Sequence, residues 1–326
     1  MTRDPAYVRA RGDPAYVGSR GTRPPYDPAS AIHCQIVTDV RSPAHVLVAD
    51  TALAVRIDRA EASLCADFAR ALRDSSRVLV EPIAGGFAVY AGPGAPMNKV
   101  VALGLDEPLH DEAIARVEAL WRSRREAVRV ELAELARPDV GTILTARGYR
   151  LIGFEDVVGL RLIETDPLAG EPPAVRGLSI ERPAHDDLAD WVEVTVNGWM
   201  ELDGTGTGPE ESFSREALED MMLDFVRPAA VQRYLARLDG VPVAAASVRL
   251  YDGLAQLCGA TTLPAFRRRG IQTALLSARL RDARAAGCDL AVVTTAPGSK
   301  SQANARRQGF QQLYARAVLV RSWEQE

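Results

Sequence analysis

Lysine is almost absent from this chain of 326 residues: it occurs only as Lys99 and Lys300, so arginine supplies nearly all of the 39 basic residues. Together with abundant alanine, this bias reflects genomic base composition more than function. The net charge is -4 and the sequence pI is about 5.7, which gives the chain no general attraction to nucleic acid or anionic lipid. Any binding of phosphate groups must therefore come from a local cluster.

Cysteine and long apolar segments are also scarce. The four cysteines, Cys34, Cys65, Cys258 and Cys288, are far apart and form no Cys-x-x-Cys pair, so neither a disulfide framework nor a structural zinc site is indicated. No apolar run approaches the roughly 20 residues that cross a bilayer, and no signal-peptide core is present. We expect reduced, mostly buried thiols, no metal site, no membrane partner and a cytoplasmic location.

Two breaks divide the chain, whose length and 47% hydrophobic content allow two domains with separate cores. Residues 1–32 repeat DPAYV and are dense in Pro, Gly, Asp and Arg, a composition typical of a flexible tail. The stretch ETDPLAGEPPAVRG, residues 164–177, has the composition of a linker. The sequence therefore predicts one domain at 33–163 and another at 178–326.

The two predicted domains carry the same pattern near their ends. LTARGYRLIGFEDVVGLRLI (144–163) and NARRQGFQQLYARAVLVRSW (304–323) each contain a helix end, a Gly-aromatic pair and a strand. An amphipathic, helix-like segment and an apolar strand precede each of them. This repetition predicts that both halves are α/β units of one kind.

Three strand-like runs within residues 230–264 are separated by Asp-Gly turn signals, which predicts an antiparallel meander. The meander leads into PAFRRRGIQTALLSARL, residues 264–280, where three arginines and Gly270 precede an amphipathic helix. A tight strand-to-helix turn aims unpaired backbone N–H groups and the positive end of the helix dipole at one point. Gly270 allows a ligand to approach the backbone, so the turn is a candidate phosphate site.

The segment Arg267-Arg268-Arg269-Gly270-Ile271-Gln272 resembles the acetyl-CoA signature of the GCN5-related N-acetyltransferases (GNAT), Gln/Arg-x-x-Gly-x-Gly/Ala. It matches at Arg267 and Gly270 and departs at Gln272, where a small residue is usual. The resemblance covers residues 178–323 in element order. It implies an α/β fold of two tandem GNAT-like domains, each with a mixed, mostly antiparallel sheet flanked by helices.

The resemblance also implies that acetyl-CoA is the cosubstrate. Three sets of residues would bind it: the strand end beside the pantetheine arm, the turn that holds the pyrophosphate, and an asparagine against the cofactor. These are Thr261, Thr262 and Leu263; Arg267, Arg268, Arg269, Gly270, Ile271, Gln272 and Thr273; and Asn304. The first half looks degenerate, since acidic residues begin its helix at 111–125 and its glycine-rich stretch 84–96 favours a hairpin over a phosphate loop.

The residues that would perform the chemistry are less clearly marked. Acetyl transfer needs a neutral amine, a polarised carbonyl and a proton for the thiolate. The family's usual tyrosine position is occupied here by Ala305. Ser301 is the weak alternative donor and is also a candidate helix N-cap. Glu210 and Glu211, in an acidic loop that would attract a cationic acceptor, are the candidate general bases.

Three functions follow from these observations. The first is an N-acetyltransferase that transfers acetyl directly to a primary amine, of a small molecule, in a ternary complex. The second is a non-catalytic acyl-CoA-binding or regulatory module. A nucleic-acid binder is the weakest, because the three arginines stand without a basic stripe or interleaved aromatics. The sequence leaves open whether the chain is a monomer or a homodimer.

Overall fold

The computed structural model describes residues 47–72, 78–162, 174–184, 188–201, 214–225 and 231–323. All of them belong to one compact unit, His45–Glu326. The predicted tail lies outside the described residues, as does most of the predicted linker. Below, the amino-terminal half means residues 47–162 and the carboxyl-terminal half means residues 174–323.

Seven α-helices and eleven β-strands occur within the described ranges. The helices are α1 Thr51–Ala71, α2 Asp111–Ser123, α3 Pro138–Ala146, α4 Ala189–Met200, α5 Arg215–Phe225, α6 Ile271–Ala285 and α7 Lys300–Arg307. The strands are β1 Leu79–Ile83, β2 Gly86–Tyr90, β3 Lys99–Val101, β4 Val128–Ala133, β5 Arg150–Arg161, β6 Leu178–Glu181, β7 Val231–Leu238, β8 Val241–Tyr251, β9 Leu254–Thr262, β10 Leu290–Thr295 and β11 Gln311–Arg321. None of the helices described is long and apolar enough to span a membrane.

The strands form a single mixed sheet in the order β1-β2-β3-β4-β11-β5-β10-β9-β8-β7-β6. The predicted meander is present as β7, β8 and β9, paired antiparallel. At its two turns, Asp239-Gly240 and Asp252-Gly253, every residue has a positive φ. That conformation belongs to the two-residue hairpin turns that Asp-Gly favours, so the two predicted turns are confirmed. The glycine-rich stretch of the first half likewise forms the hairpin of β1 and β2.

The predicted repeat between the halves is confirmed in the backbone. Helix α2 connects the parallel pair β3 and β4 as α6 connects the parallel pair β9 and β10. Gly148 and Gly309 follow α3 and α7 with φ of 84° and 89°. The amides of Tyr149 and Phe310 then each bond the carbonyl five residues earlier, at 3.1 and 3.2 Å. Both helices therefore end in the same glycine-dependent motif.

The halves also exchange strands, which the sequence did not predict. Strand β5, from the amino-terminal half, pairs antiparallel with β10, and β11, from the carboxyl-terminal half, pairs antiparallel with β4. The two exchanged strands pair with each other at the centre. Each half thus supplies one strand to the sheet of the other half. Hydrogen bonds between strands continue from one half to the next, so the sheet has no free edge where the halves meet.

Helix α1 is a second element that the sequence analysis did not predict. Asp50 caps it by accepting a hydrogen bond from the Leu53 amide at 2.8 Å. Its buried side chains include Ile57, Leu64 and Phe68, spaced as one face of a helix. Because the side chains of a β-strand alternate between the two faces of its sheet, neighbouring residues of one strand contact helices on opposite faces.

The two faces of the sheet carry different helices. Ala244 of β8 lies in an apolar cluster with Leu275 of α6. Its neighbour Ala245 lies in a different cluster, with Trp191 of α4 and Leu64 of α1. Helix α6 therefore covers one face of the carboxyl-terminal half, whereas α1, from the other half, covers the opposite face beside α4 and α5.

Candidate functional site

A gap opens in the sheet between β9 and β10. The two parallel strands are in register only from Leu254 with Leu290 to Gln256 with Val292. Beyond that point β9 bulges: Gly259 has φ 59°, and Gly259 and Ala260 together oppose the single residue Ala246 on β8. A bulge bends its strand and increases the local twist. The backbone of β9 from Leu257 onward is therefore separated from β10.

A cleft of about 1740 Å³ passes through this gap. Its walls include the N-terminal end of α6 on one face of the sheet and parts of α1, α4 and α5 on the other. Ligand pockets for drug-sized molecules measure roughly 300–1,000 Å³. This cleft is large enough for an extended ligand and reaches both faces of the sheet.

The N-terminal end of α6 faces the cleft. Gly270 is its N-cap with φ 82°, a left-handed conformation that favours glycine. The first hydrogen bond of the helix runs from the Ala274 amide to the Gly270 carbonyl, at 3.0 Å. The amides of residues 271–273 therefore precede the helical ladder, and all three residues line the cleft. With the helix dipole, they form an anion-binding end.

Basic side chains surround this end of the cleft. Arg267, Arg268, Lys300 and Arg307 all line it. Arg267 is already engaged: its Nε donates to the Thr262 carbonyl at 3.0 Å and its Nη2 to the Glu201 carbonyl at 2.8 Å. Its side chain thus ties the turn to the end of β9 and to the end of α4. The exposed Arg268, with φ 62°, is better placed to meet a ligand.

Most of the predicted cofactor residues line the cleft, namely Thr261, Thr262, Arg267, Arg268, Gly270, Ile271, Gln272, Thr273 and Asn304. Leu263 and Arg269 do not belong to its walls. The Leu263 amide bonds the Val243 carbonyl at 2.9 Å and its carbonyl accepts from Phe266 at 2.9 Å, so its main chain is used internally. The Arg269 guanidinium lies over the Phe266 ring, 5.4 Å from its centroid.

Helix α7 forms another part of the wall and corrects one expectation. Its N-cap is Ser299, whose side chain accepts from the Gln302 amide at 3.1 Å, and not Ser301, which lies exposed in the first turn and lines the cleft. Ala305, a buried residue of α7, also belongs to the cleft wall. Asn304 accepts a hydrogen bond from Arg307 and lies at the cleft with it.

Two further side chains with acid or nucleophile chemistry, Tyr314 and Cys258, are excluded by their surroundings. Tyr314 is 1% exposed and its hydroxyl donates to Asp58 at 2.5 Å, away from the cleft. Cys258 lines the cleft, but burial raises the pKa of its thiol to about 12. It therefore stays protonated and un-nucleophilic at neutral pH. Glu210 and Glu211 lie outside the described residues.

The sequence analysis missed a group of buried charged residues where the halves meet. Arg316 of β11, 2% exposed, bonds Asp58 of α1 through Nε at 3.1 Å and Nη2 at 2.5 Å. Burial opposes the charge on Arg316, yet the attraction of Asp58 holds the pKa of Arg316 well above its usual value. A contact between residues 258 positions apart leaves no signal in local sequence patterns.

A second part of this group surrounds Lys99 of β3. Its Nζ lies 3.1 Å from both oxygens of Glu131 and 3.2 Å from Oε1 of Glu61. Burial alone would raise the pKa of Glu61, but the attraction of Lys99 and Arg316 outweighs it and the pKa is lowered. Glu61 therefore carries a negative charge at neutral pH, on the wall of the cleft. The apolar spacing of α1 is a signal that could have located the helix, but no local pattern places Glu61 in the cleft.

Comparisons with known proteins agree with this geometry. Residues 196–310 match the model of the Acetyltransferase (GNAT) family. The fold is similar to that of a GCN5-related N-acetyltransferase from Kribbella flavida, with 19% identity and a TM-score of 0.58 over 83% of this chain and 96% of that one. It is also similar to a tandem GNAT protein from the clavulanic acid biosynthesis pathway, with 15% identity and a TM-score of 0.53 over 86% of this chain and 98% of that one.

No curated protein matches the chain by sequence. The structural likenesses, at these identities, establish the fold: two tandem GNAT-like units on one mixed sheet. The segment that matches the GNAT family model, residues 196–310, contains both the gap and the α6 turn.

Proposed function

We propose that this protein is an acetyl-CoA-dependent N-acetyltransferase that acetylates the primary amine of a small molecule by direct transfer in a ternary complex. The observation that carries the proposal is the continuity of the cleft. It runs from the anion-binding end of α6, through the gap between β9 and β10, to the opposite face of the sheet. A cofactor anchored on one face can therefore present its acyl end to an acceptor on the other.

The residues of this chain fit the cofactor. The amides of residues 271–273 and the exposed Arg268 suit a pyrophosphate, for which a helix N-terminus contributes up to roughly 2 kcal/mol. The edge of β9 beyond Gln256 is not paired with β10, so its main chain is available to an extended pantetheine arm. Lys300 and Arg307 add positive charge at the same end of the cleft.

Acetyl-CoA supplies an acetyl thioester, from which the acetyl carbon is transferred to the amine nitrogen as the carbon–sulfur bond breaks. The edge of β9 that faces β10 is unpaired beyond Gln256. From this edge, a main-chain N–H of residues 260–262 donates to the thioester carbonyl and polarises it. Glu210 or Glu211 accepts the proton of the amine, and Ser301 delivers a proton to the departing sulfur through water. Holding both reactants in line lowers the barrier by roughly 7–11 kcal/mol.

The second candidate function is a non-catalytic acyl-CoA-binding module. Ala305 favours it, because this buried residue stands where the family usually has a tyrosine. The two functions share the cofactor site and differ only in turnover. The cytoplasmic location and the choice between monomer and homodimer stay predictions.

Thiol release from acetyl-CoA, measured at steady state across a library of primary amines, separates the two candidates. We expect release that requires both the protein and an amine, with mass spectrometry showing the acetylated amine. Binding of acetyl-CoA without release for any amine would favour the module instead.

A further inference from the structure

Among the described residues, Glu61 is the only carboxylate that lines the cleft. Four basic residues, Arg267, Arg268, Lys300 and Arg307, line the α6 and α7 end of the cleft. Two more line it elsewhere but are engaged: Arg279 donates to the Leu275 and Ser247 carbonyls, and Arg316 is paired with Asp58. Glu61 comes instead from α1 of the amino-terminal half, on the opposite face of the sheet. The cleft is therefore polarised: positive charge lies where the phosphates would bind, and the acceptor end carries the Glu61 carboxylate beside an Arg316 that Asp58 neutralises.

Glu61 lies close to the gap in the sheet. The Nη1 atom of Arg249 bonds the carbonyl of Ala60, at 3.0 Å, and the side chain of Gln256, at 2.9 Å. Ala60 is the residue before Glu61, and Gln256 is the last residue of β9 that is in register with β10. One guanidinium nitrogen therefore joins the backbone beside Glu61 to the point where the strands separate.

Helix α1 is held in this place by ion pairs to the carboxyl-terminal half. Arg249 bonds Asp67 at 2.7 Å, and Arg316 bonds Asp58 at 2.5 Å. Both arginine side chains are at most 2% exposed. Glu61 lies between Asp58 and Asp67 in sequence, so its position is fixed from both sides.

The Glu61 carboxylate retains capacity for a cation. Within the described part of the chain Glu61 pairs with Lys99, which it shares with Glu131, whereas Glu131 also pairs with Arg129 and Arg316. The hydrogen bonds of Glu61 within the described part of the chain go to Oε1, and the residue lines the cleft, so Oε2 can accept from a ligand. A carboxylate at 20% exposure is desolvated enough for a charge-assisted bond to be strong.

Much of the rest of this end of the cleft is apolar; the polar side chains beside Glu61 are Arg316, which is paired with Asp58, and Gln256, which is bonded to Arg249. Its walls include Ile57 and Leu64, one turn before and one turn after Glu61, together with Met97, Trp199, Met221 and Met222. Methionine and tryptophan side chains make broad contacts with apolar and aromatic groups. Such walls disfavour a second charge on the acceptor, because an unpaired buried charge is costly.

We propose that Glu61, supplied by the amino-terminal half, binds the ammonium group of the acceptor, and that the acceptor is a monocationic amine with an apolar or aromatic body. The inference rests on the proposed acetyltransferase function for its chemistry, but the binding that it describes is measurable without turnover. Polyamines, aminoglycosides and free amino acids are excluded as preferred acceptors.

The test uses the full chain loaded with CoA and measures equilibrium binding of 2-phenylethylamine by calorimetry. We expect Glu61→Gln to weaken amine binding at least tenfold while acetyl-CoA affinity changes less than twofold, and Glu61→Asp to restore part of the loss. Glu193→Gln, the same substitution on the exposed face of α4, should leave both affinities unchanged. Equal amine affinity in wild type and Glu61→Gln would overturn the assignment.

A second measurement uses only the wild-type protein and so does not depend on the folding of a variant. 2-Phenylethylamine should bind at least tenfold more tightly than phenylalanine, spermidine or the neutral isostere 2-phenylethanol. Tighter binding of spermidine or phenylalanine would overturn the proposed substrate class. Intact amine binding with no acetylation of any amine would instead overturn the proposed function and leave the role of Glu61 standing.

Discussion

The two halves of the molecule place a helix between parallel strands in the same way, yet they differ where that helix begins. Helix α6 is capped by Gly270 in a left-handed conformation and has no acidic residue in its first turn. Helix α2 is capped by His110 at φ -95° and begins with Asp111 and Glu112. Carboxylates at a helix N-terminus occupy the positive end of the dipole, so they compete with a bound phosphate.

The comparison shows that a half can keep the fold of this unit without keeping an anion-binding helix N-terminus. The amino-terminal half keeps the parallel strands, the connecting helix and the Gly-aromatic turn, and its described contribution to the cleft comes from other elements. These are helix α1, which carries Glu61, residue Met97, and strand β5, which carries Val157. A repeated unit can thus lose one site and still build a wall of the other.

The largest expected effect concerns the charges that join the halves. Arg316→Met would leave the buried Asp58 carboxylate without its cationic partner, although the Tyr314 hydroxyl would still donate to it; such a change typically costs about 3–5 kcal/mol. One oxygen of Asp58, Oδ2, already has no hydrogen-bond partner, so the carboxylate cannot compensate. Urea denaturation measures the loss. Arg56→Met, which breaks the more exposed pair with Asp289, should cost no more than about 1 kcal/mol; equal losses would contradict the account.

The next effect compares two helix glycines, one in each half. A Cβ on Gly198 of α4 would lie 2.6 Å from Thr261 Cγ2, whereas a Cβ on Gly141 of α3 would meet nothing within 4 Å. We expect Gly198→Ala to destabilise by about 1–3 kcal/mol and to disturb the cleft wall at Thr261. Gly141→Ala should be neutral or stabilise by up to about 1 kcal/mol. Thermal unfolding checks both, and a stable Gly198→Ala protein would show that α4 does not pack as described.

A smaller effect depends on pH and on the exchanged strand β5. Burial, and then repulsion from Glu131, raises the pKa of Glu155 from 4.5 to about 7, against the attraction of Lys99, Arg316 and Arg129. Between these values the folded protein binds more protons than the unfolded chain, so stability falls as pH rises through this window. Glu155→Gln should therefore raise Tm relative to wild type by a few degrees at pH 8, and by less at pH 5. The same difference at both values would rule out Glu155 as the cause.

The smallest effect concerns the departure from the family signature. Gln272 stands where a small residue is usual, but the amides of the α6 turn belong to the backbone. Gln272→Ala should therefore change acetyl-CoA affinity by less than about threefold, which is within about 0.7 kcal/mol. Calorimetry measures it. A change of tenfold or more would show that the side chain, and not the main chain, controls the site.

Local chemistry made much of the carboxyl-terminal half predictable. The Asp-Gly pairs predicted the turns of the meander, and Gly270 after three arginines predicted the start of α6. Both predictions were possible because each motif spans only a few consecutive residues. The repeat between the halves was also visible, since Gly148 and Gly309 end equivalent helices. Each of these features depends on backbone conformations that few residues adopt.

What the sequence did not predict depends on distant contacts. The exchange of β5 and β11 changes which strands pair, but it does not change the alternation of apolar and polar residues within either strand. Hydrophobic periodicity in the sequence therefore cannot predict the exchange. The place of Glu61 depends on Arg249, which is 189 residues away from its contact at Ala60. The N-cap of α7 was assigned two residues late, to Ser301, because the sequence offers two serines and only the turn geometry selects Ser299.

The central claim is that the main-chain amides at the start of α6 bind the diphosphate of acetyl-CoA. The most direct test is calorimetry of acetyl-CoA binding to the wild type, to Gly270→Trp and to Gly287→Trp, which alters a glycine of similar φ, 81°, at the other end of the same helix. We expect micromolar-range binding for the wild type and Gly287→Trp, and none for Gly270→Trp. Equal affinities for all three proteins would contradict the claim.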